Sequence, residues 1–552
     1  MMSMKDLHPL TFPTSAKCSL LLVQPFTTSA GFESPTSSWP LRAVRRSVNM
    51  ASSLTNSTKD RSTTPSPNDA AARRVVRIVF FALLLDLLAF TMPLPLFPRI
   101  IDDFIQQEAK GSLLTPTLLS KTLSTVRYLR SYLTSSSSLL TTSSPSRFDL
   151  TLLGGLLGST FSFCQFLISP FLGTLSDRYG RKKVLMGSML GNLISAALWL
   201  GSGSFGIYAI SRIVGGLSEG NVQLSIAAIT DVTTPSNRSK SLALVGIAFS
   251  LAFTLGPSLG AYFASQDLFH LASSPIVNLP LIGEIKLNSY AVPAAITLGL
   301  LLIETVYLGV CLPETKGWKK VEEEEEEPKK GEVGTQKRSL EERRERLRKL
   351  EWIHFGFLFF FSGAEFTITF LTNNLFDFTN AQNGRLLGFI GILSSLLQGG
   401  YVRRASSTPR KTFSLALSGI RMCQLSLLLL SSLPFLSQNY SHSKIPMIIL
   451  YLASAGLAYV SATVVNSLNS LASLETDSTT KGGGNGIEKG KALGKFRSKG
   501  QLGRALGPLF ATGVYWCVSP GVAYVCCAVG AMGVARGFGK LREKGDETKK
   551  VQ

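Results

Sequence analysis

The stretch that decides the fold reads Gly173-Thr-Leu-Ser-Asp177-Arg178-Tyr-Gly180-Arg181-Lys182-Lys183. It separates two long apolar runs, so the chain leaves one hydrophobic helix, turns at a glycine and enters the next helix. Opposite charges are crowded into this short segment. Its acid can form a local ion pair or cap the N-terminus of a neighbouring helix. The simpler alternative is an ordinary basic loop at the inner face of a membrane.

The composition of the whole chain also indicates a membrane protein. Its 552 residues include 56 Lys and Arg against 35 Asp and Glu, a formal charge of +21, yet only 16% are charged. Soluble proteins carry roughly 25% charged residues, and the mean hydropathy here is +0.23. These values exclude a single soluble enzyme. No folded basic domain is evident, so the positive charge indicates membrane orientation and not nucleic-acid binding.

Twelve transmembrane helices in two six-helix halves are predicted, which makes the fold class an all-α membrane protein. Apolar runs of about 20 residues recur along the chain, and each can cross about 30 Å of hydrocarbon. Basic residues are concentrated in the loops 174–183, 231–240, 402–411 and 470–500, which places both termini in the cytoplasm. Plasma membrane and vacuolar or other endomembranes both stay open. The expected spans are roughly 75–98, 148–173, 184–203, 205–230, 241–264, 290–312, 352–372, 384–401, 412–436, 446–469, 501–518 and 519–536.

The predicted organisation has five segments. Residues 1–74 are rich in Ser, Thr and Pro, which is typical of a disordered cytoplasmic tail. The others are a first half (75–312), a charged cytoplasmic linker (313–351), a second half (352–536) and a cytoplasmic C-terminal tail (537–552). Span 5 contains Gly256-Pro257 and span 11 contains Gly507-Pro508, so equivalent helices carry equivalent breakers. Parallel halves of this kind place a solute site near the bilayer midplane, between them.

Three segments carry a resemblance to a known family. The order Gly-x-x-x-Asp-Arg-x-Gly-Arg-Lys in residues 173–182 resembles the signature loop of the major facilitator superfamily. Span 4, from Ser211 to Gln223, resembles that family's arginine-and-glycine fourth helix, and residues 246–261 resemble the Gly-Pro motif of its drug/proton antiporters. With residues 361–372, these stretches are similar to the tetracycline-transporter-like group, described as organic-anion or drug transporters. In the second half, residues 400–404 are only a degenerate form of the signature.

The resemblance implies a secondary active transporter that works by alternating access and couples efflux of an organic solute, a drug or an organic anion, to protons. A monomer is expected, with a small organic solute, protons and the lipid bilayer as its partners. A proton-independent facilitator, a symporter of the same fold, and a non-transporting receptor or scaffold are the alternatives. The residues assigned to the gating loop are Gly173, Asp177, Arg178, Gly180, Arg181, Lys182, Asp231 and Arg238. The helix-bend motif consists of Gly246, Gly256, Pro257 and Gly260.

Polar residues inside the spans are the candidates for the proton and solute pathway. Arg212, Glu219 and Gln223 are spaced to share one helix face. Facing lipid, each charge would cost about 2.5–3.5 kcal/mol, so they must face the bundle interior or each other. A structural ion pair and a role in proton or solute handling both stay open. Asp86 lies inside span 1, where a lone carboxyl group suits a proton carrier, or else is locked by hydrogen bonds.

The second half offers a smaller set of candidates. Glu365 and Thr369 share a polar face of span 7 and are expected to line the cavity. Glu304 in span 6 is expected to lie nearer the cytoplasmic end and to reach the interface. Neither the histidines nor the cysteines have metal-ligand spacing, and no G-x-x-x-x-G-K-[ST] motif is evident. We therefore expect no metal, no cofactor, no direct drive by ATP and no enzymatic activity.

Overall fold

The structure is a computed structural model that divides the chain into two units, Met1–Ser66 and Pro67–Gln552. It describes residues 67–93, 96, 100–101, 103–106, 118–133, 147–265, 276–279, 283–286, 291–318, 339–406, 408–440, 443–476 and 487–547. Most of the predicted N-terminal tail and of the predicted linker lies outside these residues. The following description concerns the second unit.

Helices make up most of the described structure. The first half contains α1 (Pro67–Thr91), α2 (Leu118–Leu133), α3 (Arg147–Tyr179), α4 (Arg181–Leu200), α5 (Phe205–Ser218), α6 (Asn221–Val232), α7 (Pro235–Ser265) and α8 (Ala291–Cys311). Between α7 and α8, strands β1 (Ile276–Leu279) and β2 (Gly283–Lys286) pair antiparallel, with Ile276 opposite Lys286. The second half contains α9 (Leu340–Phe376), α10 (Asn380–Leu396), a π-helical turn (Leu397–Val402), α11 (Arg403–Ala405), α12 (Pro409–Asn439), α13 (Ile445–Glu475), α14 (Lys489–Cys517) and α15 (Pro520–Glu547).

Nine of the helices in the described part of the chain are long and apolar enough to cross a membrane. Three predicted spans are missing from that set, each for a physical reason. The helix of span 1, α1, carries Arg74, Arg77 and Asp86, span 4 is broken into α5 and α6, and span 11 corresponds to the polar helix α14. Nine plus three accounts for all twelve predicted spans, and the fold is the predicted twelve-helix bundle in two halves.

Several helix boundaries differ from the sequence expectation. Helix α1 begins at Pro67, before residue 75, and α2 occupies part of the predicted loop 99–147. Helix α14 begins at Lys489, inside the predicted basic loop 470–500. Helix α9 begins at Leu340, where Ser339 and Glu342 form a reciprocal capping box. The end of the predicted linker is therefore the first part of span 7.

An apolar core runs through both halves, with Val79, Leu301, Leu371 and Leu468 among its buried members. Helices that cross between or within the halves approach closely at glycines, because small residues let backbones touch. A Cβ atom on Gly256 would lie 1.9 Å from Thr91 Oγ1. One on Gly260 would lie 2.0 Å from the Met92 carbonyl oxygen, so these two residues fit α7 against the end of α1.

The remaining members of the helix-bend motif lie in the same unbroken helix, which contains Pro257. Gly246 lies against the second half, where a Cβ would be 2.0 Å from Asn466 Nδ2. The motif thus provides close helix packing in α7. That it also bends the helix stays a prediction.

Helices α3 and α14 bring the two halves into backbone contact. A Cβ on Gly173 would lie 2.2 Å from the Gly490 carbonyl oxygen, which explains why only glycine fits there. Pro170, which has no N–H, leaves the carbonyl of Phe166 without its helical partner. The hydroxyl of Ser498 on α14 donates to that carbonyl at 2.7 Å. The two helices therefore hold each other by sterics and by a compensating hydrogen bond.

Candidate inner gate and transport pathway

The predicted gating loop is reduced to a single residue between two helices. Helix α3 ends at Tyr179, α4 begins at Arg181, and Gly180 between them has φ of +105°. That conformation favours glycine. A Cβ at this position would also lie 2.4 Å from Glu314 Oε2. The glycine of the motif is thus required both by the backbone and by the neighbouring carboxylate.

Glu314, which follows α8, caps the N-terminus of α4. Its carboxylate accepts hydrogen bonds from the backbone N–H groups of Arg181 at 2.8 Å and Lys182 at 3.2 Å. It also accepts bonds from the N–H groups of Thr315 and Lys316. Partial burial opposes ionisation, but these four donors outweigh it and lower the pKa of Glu314. The gating loop is thereby fixed to the end of α8.

Lysine side chains add to this attachment. Lys182 Nζ donates to the Gly309 carbonyl at 2.7 Å, and Lys316 Nζ donates to the Arg178 carbonyl at 2.8 Å. The Arg178 guanidinium is exposed and lies 5.5 Å from the centroid of the Tyr179 ring. These hydrogen bonds connect the residues around Gly180 to the end of α8, within the first half. Lys182 and Arg178 therefore position the loop.

Asp177 joins the two halves. Its carboxylate accepts from the N–H groups of Gly490 at 2.9 Å and Lys491 at 2.8 Å, in the first turn of α14. The same carboxylate pairs with Arg181 Nη1 at 2.8 Å. Both uses open at the sequence level, helix capping and local pairing, are therefore realised together.

Asp231 completes this contact, which we call the latch (Asp177, Arg181, Asp231 and residues 489–491). Arg181 Nε lies 2.9 Å from Asp231 Oδ2, and Lys489 Nζ lies 3.6 Å from Asp231 Oδ1. Arg181 is almost fully buried, so its charge is compensated by two carboxylates. The latch joins two acids and Arg181 of the first half to Lys489 and two backbone N–H groups of the second half.

Arg238, the remaining residue assigned to the gate, binds a different set of atoms. Its Nη1 lies 3.3 Å from the Ser473 carbonyl, and its Nη2 lies 3.1 Å from the Thr233 carbonyl. It is fully buried near the C-terminal ends of α6 and α13. A cation is favourable there because the final carbonyls of a helix carry partial negative charge. Arg238 is therefore a second connection between the halves.

The expectation of a shared helix face in span 4 is wrong, because this span is not one helix. Helix α5 ends at Ser218 and α6 begins at Asn221, with Glu219 and Gly220 between them. The Arg212 guanidinium lies 5.6 Å from the ring centroids of both Trp199 and Tyr208. Among the described residues, Arg212 and Glu219 form no ion pair, and the Arg212 guanidinium makes cation–π contacts in place of the structural ion pair that the sequence left open.

Residues beyond the break bind the neighbouring helices. Gln223 Nε2 donates to the Ser169 carbonyl at 3.0 Å, next to Pro170 of α3. Glu219 accepts from Asn192 Nδ2 at 3.1 Å. Irregular backbone at membrane depth is tolerated where it is buried in protein or lines a cavity. The break therefore marks a polar site within the first half.

Asp86 belongs to the same polar site. It is 3% exposed, and its Oδ1 accepts from Asn221 Nδ2 at 2.9 Å. Ser188 Oγ lies 3.0 Å from Asn221 Oδ1 and accepts from the N–H of Gly220 at 2.9 Å. Helix α1, the first turn of α6 and helix α4 are thus tied together around Asp86.

Two further charged residues belong to this site, although the sequence predicts other positions for them. Glu304 on α8 is 1% exposed and interacts electrostatically with Asp86 and Glu219. The sequence predicts that Glu304 reaches the membrane interface, but its side chain is buried inside the protein. Arg497, which had been counted in a basic loop, lies on α14 and interacts electrostatically with the same two acids. Arg497 and Arg504 are seven residues apart, and this spacing predicts that both lie on one face of a helix.

The candidates of span 7 lie on one unbroken helix and differ in exposure. Glu365 is exposed and Thr369 is half-buried. Ser362 is buried against Gly507, and Thr372 donates to Asn383 Oδ1 at 2.6 Å. An exposed carboxyl group in the middle of a membrane helix requires contact with water or a partner. This is compatible with the predicted cavity, to which Glu365 stays assigned.

The comparison with known proteins identifies the family. The sequence profile described as Major Facilitator Superfamily matches residues 79–508. The chain belongs to the major facilitator superfamily. As a member of this superfamily it is an integral multi-pass membrane protein and a transporter, not an enzyme.

Similar members of the superfamily cover most of the chain. Major facilitator superfamily domain-containing protein 10 of Mus musculus is 34% identical over 472 residues, 84% of this chain and 91% of that protein. The Homo sapiens protein of that name is 33% identical over 80% of this chain and 88% of its own length. A crystal structure of the human organic anion transporter MFSD10 (TETRAN) matches with TM-score 0.65 and 29% identity, and covers 85% of this chain and 99% of that one.

Drug-resistance members of the superfamily share a shorter region. Multidrug resistance protein 2 of Bacillus subtilis is 36% identical over 112 residues, 20% of this chain and 28% of that protein. The short overlap agrees with a resemblance that is specific in only part of the sequence.

Proposed function

We propose that the chain exports an organic solute in exchange for protons, by alternating access of a cavity between its two halves. The observation that carries this proposal is the pair of buried acids, Asp86 and Glu219, within electrostatic range of Arg497 from the opposite half. Both acids are held by neutral amides, Asn221 and Asn192.

The charge state of these acids provides a coupling device. A buried carboxylate without a hydrogen-bonded cation is costly, so protonation of either acid is favourable in a dry environment. Protonation also removes its attraction to Arg497 and hence weakens the association of the halves. Because linkage is reciprocal, a movement of the halves changes the affinity for the proton by the same factor. Proton binding and alternating access are then coupled.

We assign the latched end of the bundle to the cytoplasm on the positive-inside rule. With that assignment the structure is closed toward the cytoplasm, and both termini and the linker 313–351 lie on that side. The five-segment organisation and a monomeric state are part of the same proposal. The specific membrane stays open.

An organic anion or an anionic drug is the proposed solute class. The solved human relative is described as an organic anion transporter. Arg497 and Arg504 on α14 are half-buried basic residues, and among the described residues neither forms an ion pair within 4.0 Å. A guanidinium is suited to bind a carboxylate or sulfonate in two parallel hydrogen bonds.

The test is tracer flux in proteoliposomes under an imposed pH gradient, with a mixed panel of organic anions and cationic dyes. We expect Asp86→Asn and Glu219→Gln each to abolish pH-driven flux and to preserve solute-for-solute counterflow, because an amide keeps the volume but cannot release a proton. Glu341→Gln is the matched control, because Glu341 is an exposed acid in the first turn of α9. Unchanged pH-driven flux in both acid variants would refute proton exchange and favour a facilitator. Absence of flux for the whole panel in the unmodified protein would favour a scaffold.

A further inference from the structure

We propose that Glu304 is a third proton-binding residue and that, with the latch closed, the cluster of Asp86, Glu219 and Glu304 holds two protons and one negative charge. The inference rests on the proposed proton coupling and extends it to a residue on α8. It concerns which side chains take up protons and how many they hold.

The burial of Glu304 is the first step of the argument. Its side chain is 1% exposed, and Oε2 has no hydrogen-bond partner among the described residues. Unlike Asp86 and Glu219, it has no amide donor in the described hydrogen bonds. A buried carboxylate oxygen without a donor carries a desolvation cost of about 1–3 kcal/mol or more. Glu304 is therefore the acid with the least support for a negative charge.

The charged neighbours of Glu304 lie on α1 and at the break between α5 and α6. Asp86 lies on α1 and Glu219 lies at the break before α6, and both interact with it electrostatically. Arg497 of α14 interacts with Asp86 and Glu219. No basic side chain in the described part of the chain forms an ion pair with Glu304. Like charges that share a dry site cannot all be ionised.

A charge count then gives the number of protons. Three ionised carboxylates and one guanidinium would leave two uncompensated negative charges inside the protein, which is strongly unfavourable. Two bound protons leave one carboxylate opposite Arg497, so the cluster becomes neutral. Among the described residues, Glu304 has neither an amide donor nor an ion-paired cation, and one of the two protons is therefore assigned to it.

Infrared difference spectroscopy on purified protein in lipid tests this assignment without any solute. Protonated carboxyl groups have a carbonyl stretching band that ionised groups lack. At neutral pH we expect Glu304→Gln to lose about half of the band that arises from the two buried protonated groups. Glu341→Gln should keep the whole band, because that acid is exposed. An unchanged band in Glu304→Gln would overturn the proposal.

The pH profile of transport gives a second readout that a purely structural role would not move. Replacing Glu304 with glutamine removes one of the two bound protons and also the negative charge that Glu304 carries once its proton has left. The last proton on Asp86 or Glu219 then leaves more easily, and the midpoint of the flux–pH curve should move to lower pH. If Asp86→Asn and Glu219→Gln abolish pH-driven flux while Glu304→Gln keeps both the band and the midpoint, only this inference fails. If neither acid variant changes the flux, the proposed function itself fails.

Discussion

Replacing Asp177 with asparagine should open the latch. The carboxylate accepts two N–H groups at the start of α14, from Gly490 and Lys491, and pairs with Arg181 at 2.8 Å. Asparagine keeps the volume and one acceptor oxygen, but it loses the charge and the second acceptor. The first turn of α14 should then be held less firmly against the end of α3.

The magnitude follows from the contacts that are lost. A hydrogen bond to a charged acceptor contributes about 1.5–3 kcal/mol, and a negative charge at a helix N-terminus adds about 0.3–1 kcal/mol. The sum is about 2–4 kcal/mol, which shifts the equilibrium between latched and open states roughly 30- to 700-fold toward open. The side chain is only 14% exposed, so solvent screens this effect weakly.

Hydrogen–deuterium exchange of peptides that cover residues 487–494 measures this shift directly, because the N–H groups of Gly490 and Lys491 are the protected donors. We expect markedly faster exchange in Asp177→Asn, together with a lower transport rate and a little-changed affinity for the solute. Lys183→Gln in the first turn of α4 is the control, since this lysine is exposed. Unchanged exchange with reduced transport, or a collapse of solute affinity with normal turnover, would refute the latch.

Three further predictions concern the loop and the topology. Gly180→Ala should lower thermal stability by about 1–3 kcal/mol because of the positive φ and the contact with Glu314, whereas Gly187→Ala, with open space around it, should not. The pKa of Glu314 is lowered in the folded state, so its carboxylate stabilises the folded protein above the unfolded pKa, and this stabilisation is lost as pH falls through the folded pKa. Between neutral and acidic pH, the melting temperature should therefore fall less in Glu314→Gln than in the unmodified protein. An equal fall would contradict the capping role. Epitope tags at residues 60, 325 and 548 should be reached from the cytosolic side and a tag at residue 120 from the opposite side; a cytosolic tag at residue 120 would contradict the twelve-span topology.

The twelve-helix fold could be predicted because its signals are local. Apolar runs of membrane length and the charge bias of short loops depend only on neighbouring residues. The role of Asp177 as a helix cap was also available from its residue type. Its partner was not, because Gly490 lies more than 300 residues away along the chain.

The shared face of Arg212 and Glu219 could not be predicted correctly, because the spacing rule assumes an unbroken helix. Hydrogen bonds from Asn192 to Glu219 and from Gly220 N–H to Ser188 support the break. These contacts come from another helix and leave no periodic trace in span 4. Sequence spacing therefore identified the polar residues but gave the wrong partner for Arg212.

Only the C-terminal part of helix α14 was predicted as span 11, because residues 489–500 are too polar to be recognised as part of a span by hydropathy. Gly503 and Gly507 on this helix lie against the backbone of α9, and Gly494 lies against that of α3, so helices of both halves pack on it. Hydropathy measures how favourable it is for side chains to contact lipid. A helix that packs mainly against other helices has few side chains in contact with lipid, so its hydropathy can be low. Such a helix can carry charge at membrane depth, and Arg497 is placed accordingly, opposite Asp86 and Glu219. The low hydropathy of this segment therefore agrees with its packing against helices of both halves, where, in the proposed mechanism, Arg497 responds to the protonation of both acids.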